Sequence, residues 1–258
     1  MKVVFAVAGA VFACAPALAA WVPPPDPDPR AILQEARDDA AAGRYADALD
    51  KQLWFHNEAL KIERGFGGVR LSFALAQWRN LGRDYPPALD ALKNVRDQAS
   101  IEVRTARRPF DAFHDLSSIN SVLGEEARTA ELFAWLDANR PEVAKQTYSV
   151  AQNSLIATRN YALCGKYLSG AAETDRIVAM HRLNRGMASR DERLGEFTRT
   201  SFVKGATALV ALLAVNGRKA EAEAAMEEFL KELPDDSFRR ALQEAAKGNV
   251  PEPWPPSI

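Results

Sequence analysis

The sequence predicts an all-α protein. Apolar residues recur at three- and four-residue intervals through most of the chain, and no stretch alternates apolar and polar residues for long enough to make a sheet strand. Glycines at positions 43, 82, 124, 165 and 217 each fall between two such helical stretches, a period near forty. With 47% hydrophobic and 26% charged residues among 258, the chain has material for a sizeable core and is not a disordered polymer. The 33 basic and 34 acidic side chains leave a net charge of −1, so nucleic acid is not an expected partner.

The elements follow in order. Residues 1–19 read as a secretory signal: Lys2 is the positive region, Val3 to Val11 the apolar core, and Ala17-Leu18-Ala19 the small-x-small site, with cleavage after about Ala19. The expected location is therefore periplasmic or secreted. The apolar run falls short of the roughly 20 residues that a bilayer span needs, and the apolar stretch Gly205 to Val215 suits a buried helix, so no membrane span is expected. Val11-Phe12-Ala13-Cys14 loosely resembles a bacterial lipobox, which makes a lipid-anchored chain beginning at Cys14 the alternative. In either case Cys164 has no intramolecular partner and reads as a small apolar residue on a helix's inner face.

Residues 20–29 contain proline at positions 23, 24, 25, 27 and 29, which excludes helix and predicts an extended tether. Arg30 to Ala42 is a first helix with Ile32, Leu33 and Ala36 on one side, ended by Gly43. A second helix carries Leu49, Leu53, Trp54, His56 and Leu60 and stops near Gly65-Phe66-Gly67-Gly68, a loop that lacks the spacing of a dinucleotide fingerprint. Val69 to Leu81 is a helix ended by Gly82, and Pro86 opens the next. Then come Phe110 to Leu123 with Gly124, Glu125 to Asn139, and Tyr148 to Leu163 with Gly165. The long interval to Gly217 holds Arg182 to Arg199, either a longer helix pair or an inserted excursion. Leu209 to Asn216, Gly217 and a helix running to Pro234 form the last hairpin, and Asp235-Asp236-Ser237 caps a final helix through Ala246. Residues 248–258 are a proline-rich tail.

Two stretches carry a family resemblance. Gly43-Arg44-Tyr45-Ala46-Asp47-Ala48-Leu49 resembles the turn of a tetratricopeptide repeat, and Gly165-Lys166-Tyr167 keeps its Gly-x-Tyr spacing. Gly217, Ala220, Ala224, Phe229 and Pro234 fit that repeat's second half: turn glycine, small contact residues, aromatic and closing proline. The resemblance implies that residues 30–247 form a right-handed solenoid of about five antiparallel helix hairpins with a C-terminal capping helix. Strict repeats of this family use about 34 residues, so these are lengthened copies.

Spacing shows no catalytic chemistry. His56, His114 and His181 lie on separate hairpins with no paired ligand, so no metal site follows and no cofactor is expected. His114, Asp115, Ser117 and Ser118 are triad residue types, but neighbours on one helix point to different faces. The expected function is non-enzymatic binding of a protein or peptide of unknown identity in a concave groove, as a scaffold or envelope assembly factor; a helical shell around a small ligand or an active site is the alternative. If the hairpins stack as in the family, residues ten, six, three and two before each turn glycine face that groove. This selects Leu33 and Arg37 in the first unit, Ser72, Ala76, Arg79 and Asn80 in the second, His114 and Ser118 with Ser121 in the third, Leu155 and Arg159 in the fourth, and Thr207 in the fifth. Arg37, Arg79 and Arg159 in one trough would favour a carboxylate such as a peptide C-terminus. The arginines from Arg176 to Arg199 form a second candidate surface, for an anion, with Asp175, Asp191, Glu192 and Glu196 interleaved.

Overall fold

A computed structural model describes residues 21–188 and 192–253. The leader, its cleavage site after Ala19, the alternative start at Cys14 and residues 254–258 lie outside the described residues. Among those described the chain is all-α, with thirteen α-helices in which sequence neighbours pack on one another. It divides into two compact units, one up to Arg64 and one from Gly65.

The first unit is a helical hairpin of α1 (Pro29–Ala41) and α2 (Tyr45–Ile62). Pro29 occupies the first turn of α1, where its missing N–H costs nothing, and the Asp28 carboxylate accepts from the Arg30 N–H at 2.8 Å. Ile32, Leu33 and Ala36 are buried in the same unit as Ala48, Phe55 and Ala59. Asp39 is buried as well, between Lys51 and the Arg44 guanidinium, whose Nε donates at 2.9 Å. Burial works against the Asp39 charge, but the bonds from Lys51 and Arg44 outweigh it and hold its carboxyl below the usual range. The tether does not simply extend into solvent: Trp21 sets its ring edge-on to Trp54, centroids 6.3 Å apart.

The second unit begins with a 3₁₀ turn, Arg64–Phe66, lying across the boundary between the units, and the single-turn helix α3 (Gly67–Arg70), where the sequence predicts a loop. The predicted helix over Val69 to Leu81 is broken at Leu71-Ser72, and α4 (Phe73–Asp84) runs past Gly82. Gly82 therefore ends nothing. It is a contact: a Cβ there would stand 2.8 Å from Leu89 Cβ and 3.1 Å from its backbone nitrogen, so hydrogen at this position lets α5 (Pro86–Thr105) approach α4. The Trp78 indole N–H donates to the Ala88 carbonyl at 2.8 Å across the same interface.

After these come α6 (Phe110–Leu123), α7 (Glu126–Asn139) and α8 (Pro141–Ala157). The next helix is not Tyr148 to Leu163 as predicted. α8 stops seven residues after Val150, the chain turns at Thr158-Arg159-Asn160, and α9 (Tyr161–Tyr167) carries Gly165 in its interior. Gly165 is a second contact glycine, pressed against the Asn216 side chain. Arg159 takes the left-handed backbone at φ 57°, the only non-glycine among the described residues to do so. The long interval is a helix pair, α10 (Gly170–Ala188) and α11 (Glu192–Val215), followed by α12 (Lys219–Glu232) and α13 (Asp236–Ala245). Residues 193–215 of α11 are long and apolar enough to cross a membrane by composition, a longer stretch than the sequence suggests. Leu209, Val210, Ala211, Leu212 and Leu213 within it are buried in the core.

Four turns share one hydrogen-bond pattern. At Gly43, Gly124, Arg159 and Gly217 the backbone is left-handed, with φ of 76°, 70°, 57° and 74°. In each the turn residue's N–H returns to the carbonyl three positions earlier: Ala40, Ser121, Ile156 and Ala214. The following N–H of Arg44, Glu125, Asn160 and Arg218 returns to Asp39, Asn120, Leu155 and Leu213. These bonds satisfy the carbonyls that the ending helix leaves without partners. Five residues after each turn comes a buried small residue, Ala48, Thr129, Cys164 or Ala222, where the helices touch. Cys164 is thus the small contact residue of its hairpin, and burial pushes its thiol up to about 11.

The core of the second unit is built around aromatic rings. Phe133 meets Phe113, Tyr148 and Tyr167 with centroids 6.4, 6.3 and 5.3 Å apart, and Phe202 sits 5.7 Å from Phe229 and 5.6 Å from Phe238. Long polar side chains close helix ends between elements. Arg140 donates to the Val103 and Ala106 carbonyls at 2.7 and 2.6 Å, and Arg218 to that of Leu168 at 2.8 Å.

Candidate functional site

A cavity of about 390 Å³ lies in the second unit on one face of α6 and α8. Helical periodicity explains its lining. From α6 come His114, Ser117, Ser118, Ser121 and Val122; from α8, Ser149, Val150, Asn153, Ser154 and Ala157. Leu71 and Ser72 close one side at the junction of α3 and α4, Glu126 stands at the start of α7, and Pro253 closes another side from beyond α13. Six of the fourteen lining residues are serines, set among apolar ones, and their hydroxyls are donors and acceptors able to reorient toward a backbone laid across them.

The electrostatics around His114 are fixed by neighbours. Burial pushes its imidazole below the usual range, Asp115 and Asp111 oppose that, and Arg70 adds to it. His114 is therefore neutral at neutral pH, and its ring stands edge-on to Phe110 at 6.1 Å. The Asp115 carboxylate is held by Arg70, with Nη2 donating to Oδ2 at 2.7 Å, a forked pair that ties α3 to α6.

Of the residues selected from sequence, Ser72, His114 and Ser118 stand around this one cavity, together with Ser121. Neither Arg79 nor Arg159 is among its lining residues. Arg79 is half-buried and donates from Nη1 to the Val122 carbonyl at 3.3 Å, and from Nη2 to Asn80 Oδ1 at 3.1 Å. Asn80 is exposed at the end of that bond. Arg159 is exposed in the α8–α9 turn, and Leu155, chosen with it, is fully buried in the core. Arg37 belongs to the first unit, exposed on α1 with Gln34 Oε1 at 3.5 Å.

The misplacement in the fourth hairpin has a definite cause. Counting back from Gly165 selects Leu155 and Arg159; counting the same ten, six and two positions back from the residue that does turn, Arg159, selects Ser149, Asn153 and Ala157, and all three line the cavity. In the third hairpin the same offsets from Gly124 give His114, Ser118 and Val122, which also line it; the remaining offset of three differs, giving lining Ser121 from Gly124 but the buried, non-lining Ile156 from Arg159. The signal for Ser149 and Asn153 was in the sequence, but it was keyed to a turn residue that is not glycine.

A smaller cavity of about 110 Å³ uses Asn153 and Ile156 of α8, Arg176 and Ile177 of α10, and Lys204 and Ala208 of α11, with Glu252 and Pro253. The basic stretch predicted as an anion surface is largely paired. Arg176 meets Glu173 at 2.7 Å, Arg182 and Arg185 approach Glu232 at 2.7 and 3.9 Å, and Arg199 meets Asp235 at 3.1 Å. Glu232 also receives His181, which is buried and stacked on Phe202 at 4.2 Å. Burial works against the Glu232 charge, and the bonds from Arg182 and His181 hold its carboxyl below the usual range.

No family model, curated protein or solved structure matches the chain.

Proposed function

We propose that this protein is an exported, non-enzymatic helical-repeat scaffold whose hairpins follow the tetratricopeptide plan in a right-handed solenoid, and that it binds a peptide segment across α6 and α8. The observation that carries this reading is the shared register: measured from their own turn residues, α6 and α8 present the same offsets to one cavity, as successive repeats present theirs to a groove. The lining suits an extended backbone better than a small molecule. Serines and Asn153 supply hydrogen-bonding groups along two helices, and neutral His114 adds one more. A groove of this kind gives affinity through main-chain contacts and leaves selectivity to a few side chains.

The test is an array of ten-residue peptides probed with the full chain and with Ser118→Trp, which fills the cavity. Peptides that bind the native chain should lose at least about tenfold in affinity on the variant, the order expected from blocking the centre of a small interface. Unchanged binding, or no peptide bound by the native chain, would overturn the reading. Far-ultraviolet circular dichroism checks that the variant folds.

A further inference from the structure

The segment after α13 reaches this site through one residue, Pro253. Gly248, at φ 89°, turns the backbone out of α13, where a Cβ would make only ordinary contact, 3.9 Å from Val215 at the end of α11. Residues 249–253 then run without helix. Val250 packs on the core, Pro251 and Pro253 are half-buried, and Asn249 and Glu252 face solvent. Pro253 lines both cavities, and Glu252 lines the smaller one beside Arg176 and Lys204. Two prolines in three residues fix φ near the extended polyproline value and remove two N–H donors, so the strap loses little entropy on docking and brings mainly carbonyl acceptors. Hydroxyls on α6 and α8 are the groups that such carbonyls need.

We propose that the segment 249–253 is a built-in occupant of the rim of this groove, reaching it through Pro253, and that the groove's ligand is a segment of the same chemistry: an extended, proline-bearing peptide. This rests on the peptide-binding reading above. A free ligand enters by displacing the strap, so the site is competed in cis. Tethering holds the competitor at millimolar effective concentration, which weakens a ligand in trans without any other change.

The test uses full chains throughout. The probe is a fluorescein-labelled peptide of the sequence from Asn249 to Ile258, followed by polarisation. One protein is native; the other carries Glu252→Lys and Pro253→Asp, both on the strap and neither on α6 or α8. The released variant should bind the probe at least about tenfold more tightly than the native chain, and adding Ser118→Trp to it should abolish that gain. Equal affinity for both chains, or binding by neither, overturns the proposal. If array peptides still bind at a Ser118-sensitive site while the strap peptide does not, the groove remains and only its built-in occupant falls. If no peptide of any kind binds, the groove reading itself falls.

Discussion

At Gly124 the backbone turns left-handed at φ 70° and a Cβ would meet nothing within 4 Å. At Gly165 the backbone is helical, and a Cβ would overlap the Asn216 side-chain amide. The first glycine is needed for its conformation, the second for its size. Gly43 and Gly217 belong with Gly124, and Gly82 with Gly165. A chain built of helical hairpins needs both kinds, because every hairpin must reverse direction and must also bring two helix axes close together. The two kinds fail differently. A turn glycine replaced by alanine costs backbone strain, whereas a contact glycine so replaced pushes two helices apart.

The largest effect is expected at Gly82→Ala. The atoms in its way are Leu89 Cβ, N and Cα, at 2.8, 3.1 and 3.2 Å, so the first turn of α5 must move as a body. Alanine's helix propensity returns up to about 1 kcal/mol, but overpacking against backbone costs on the order of 2–3 kcal/mol. Urea denaturation should show a net loss, and a midpoint at or above the native one would mean that α4 and α5 separate freely. Gly165→Ala comes next. Here the obstacle is a side chain, whose Nδ2 donates to Tyr161 O at 2.9 Å and Leu212 O at 2.8 Å. Swinging Asn216 aside forfeits those bonds, about 1–2 kcal/mol together. Asn216→Ala in the same background should remove most of the penalty specific to Gly165→Ala; if the two losses simply add, the clash is not with the amide.

The mixture of glycine roles explains what was readable in the sequence and what was not. Helix content, the third hairpin around Gly124 and the last around Gly217 were legible, since caps, turn glycine and apolar spacing agree there. A glycine period near forty suggested five equivalent turns, but Gly82 and Gly165 sit inside α4 and α9, where nothing local distinguishes a contact glycine from a turn glycine. Only the packing partner, Leu89 or Asn216, decides, and that is tertiary information. The site suffered in proportion. His114 and Ser118 came from the Gly124 hairpin, whose turn is where the spacing puts it; Ser72 was counted from Gly82, which is no turn, and still stands around the same cavity. Arg159 came from the misread hairpin and is itself the turn. Arg79 was placed on a suitable stretch but spends its guanidinium on the Val122 carbonyl, at the end of α6.

The smallest expected effect bears most directly on that register. Arg159 holds the conformation that Gly43, Gly124 and Gly217 hold, with the same two return bonds, from Arg159 N to Ile156 O at 3.0 Å and from Asn160 N to Leu155 O at 2.8 Å. A left-handed arginine costs about 1–2 kcal/mol in crowding of its Cβ against the carbonyl. Arg159→Gly removes that strain, while glycine's freedom in the unfolded chain takes back about 0.5–1 kcal/mol. The expected outcome is a gain of no more than about 1 kcal/mol. Gly124→Ala runs the exchange in reverse and should lose about 1 kcal/mol. Opposite shifts in the two urea midpoints would place both residues in one class of turn. A clear loss for Arg159→Gly would show that the arginine side chain, rather than its backbone, is what holds α8 to α9, and the shared offsets that assign Ser149 and Asn153 to the groove would lose their anchor.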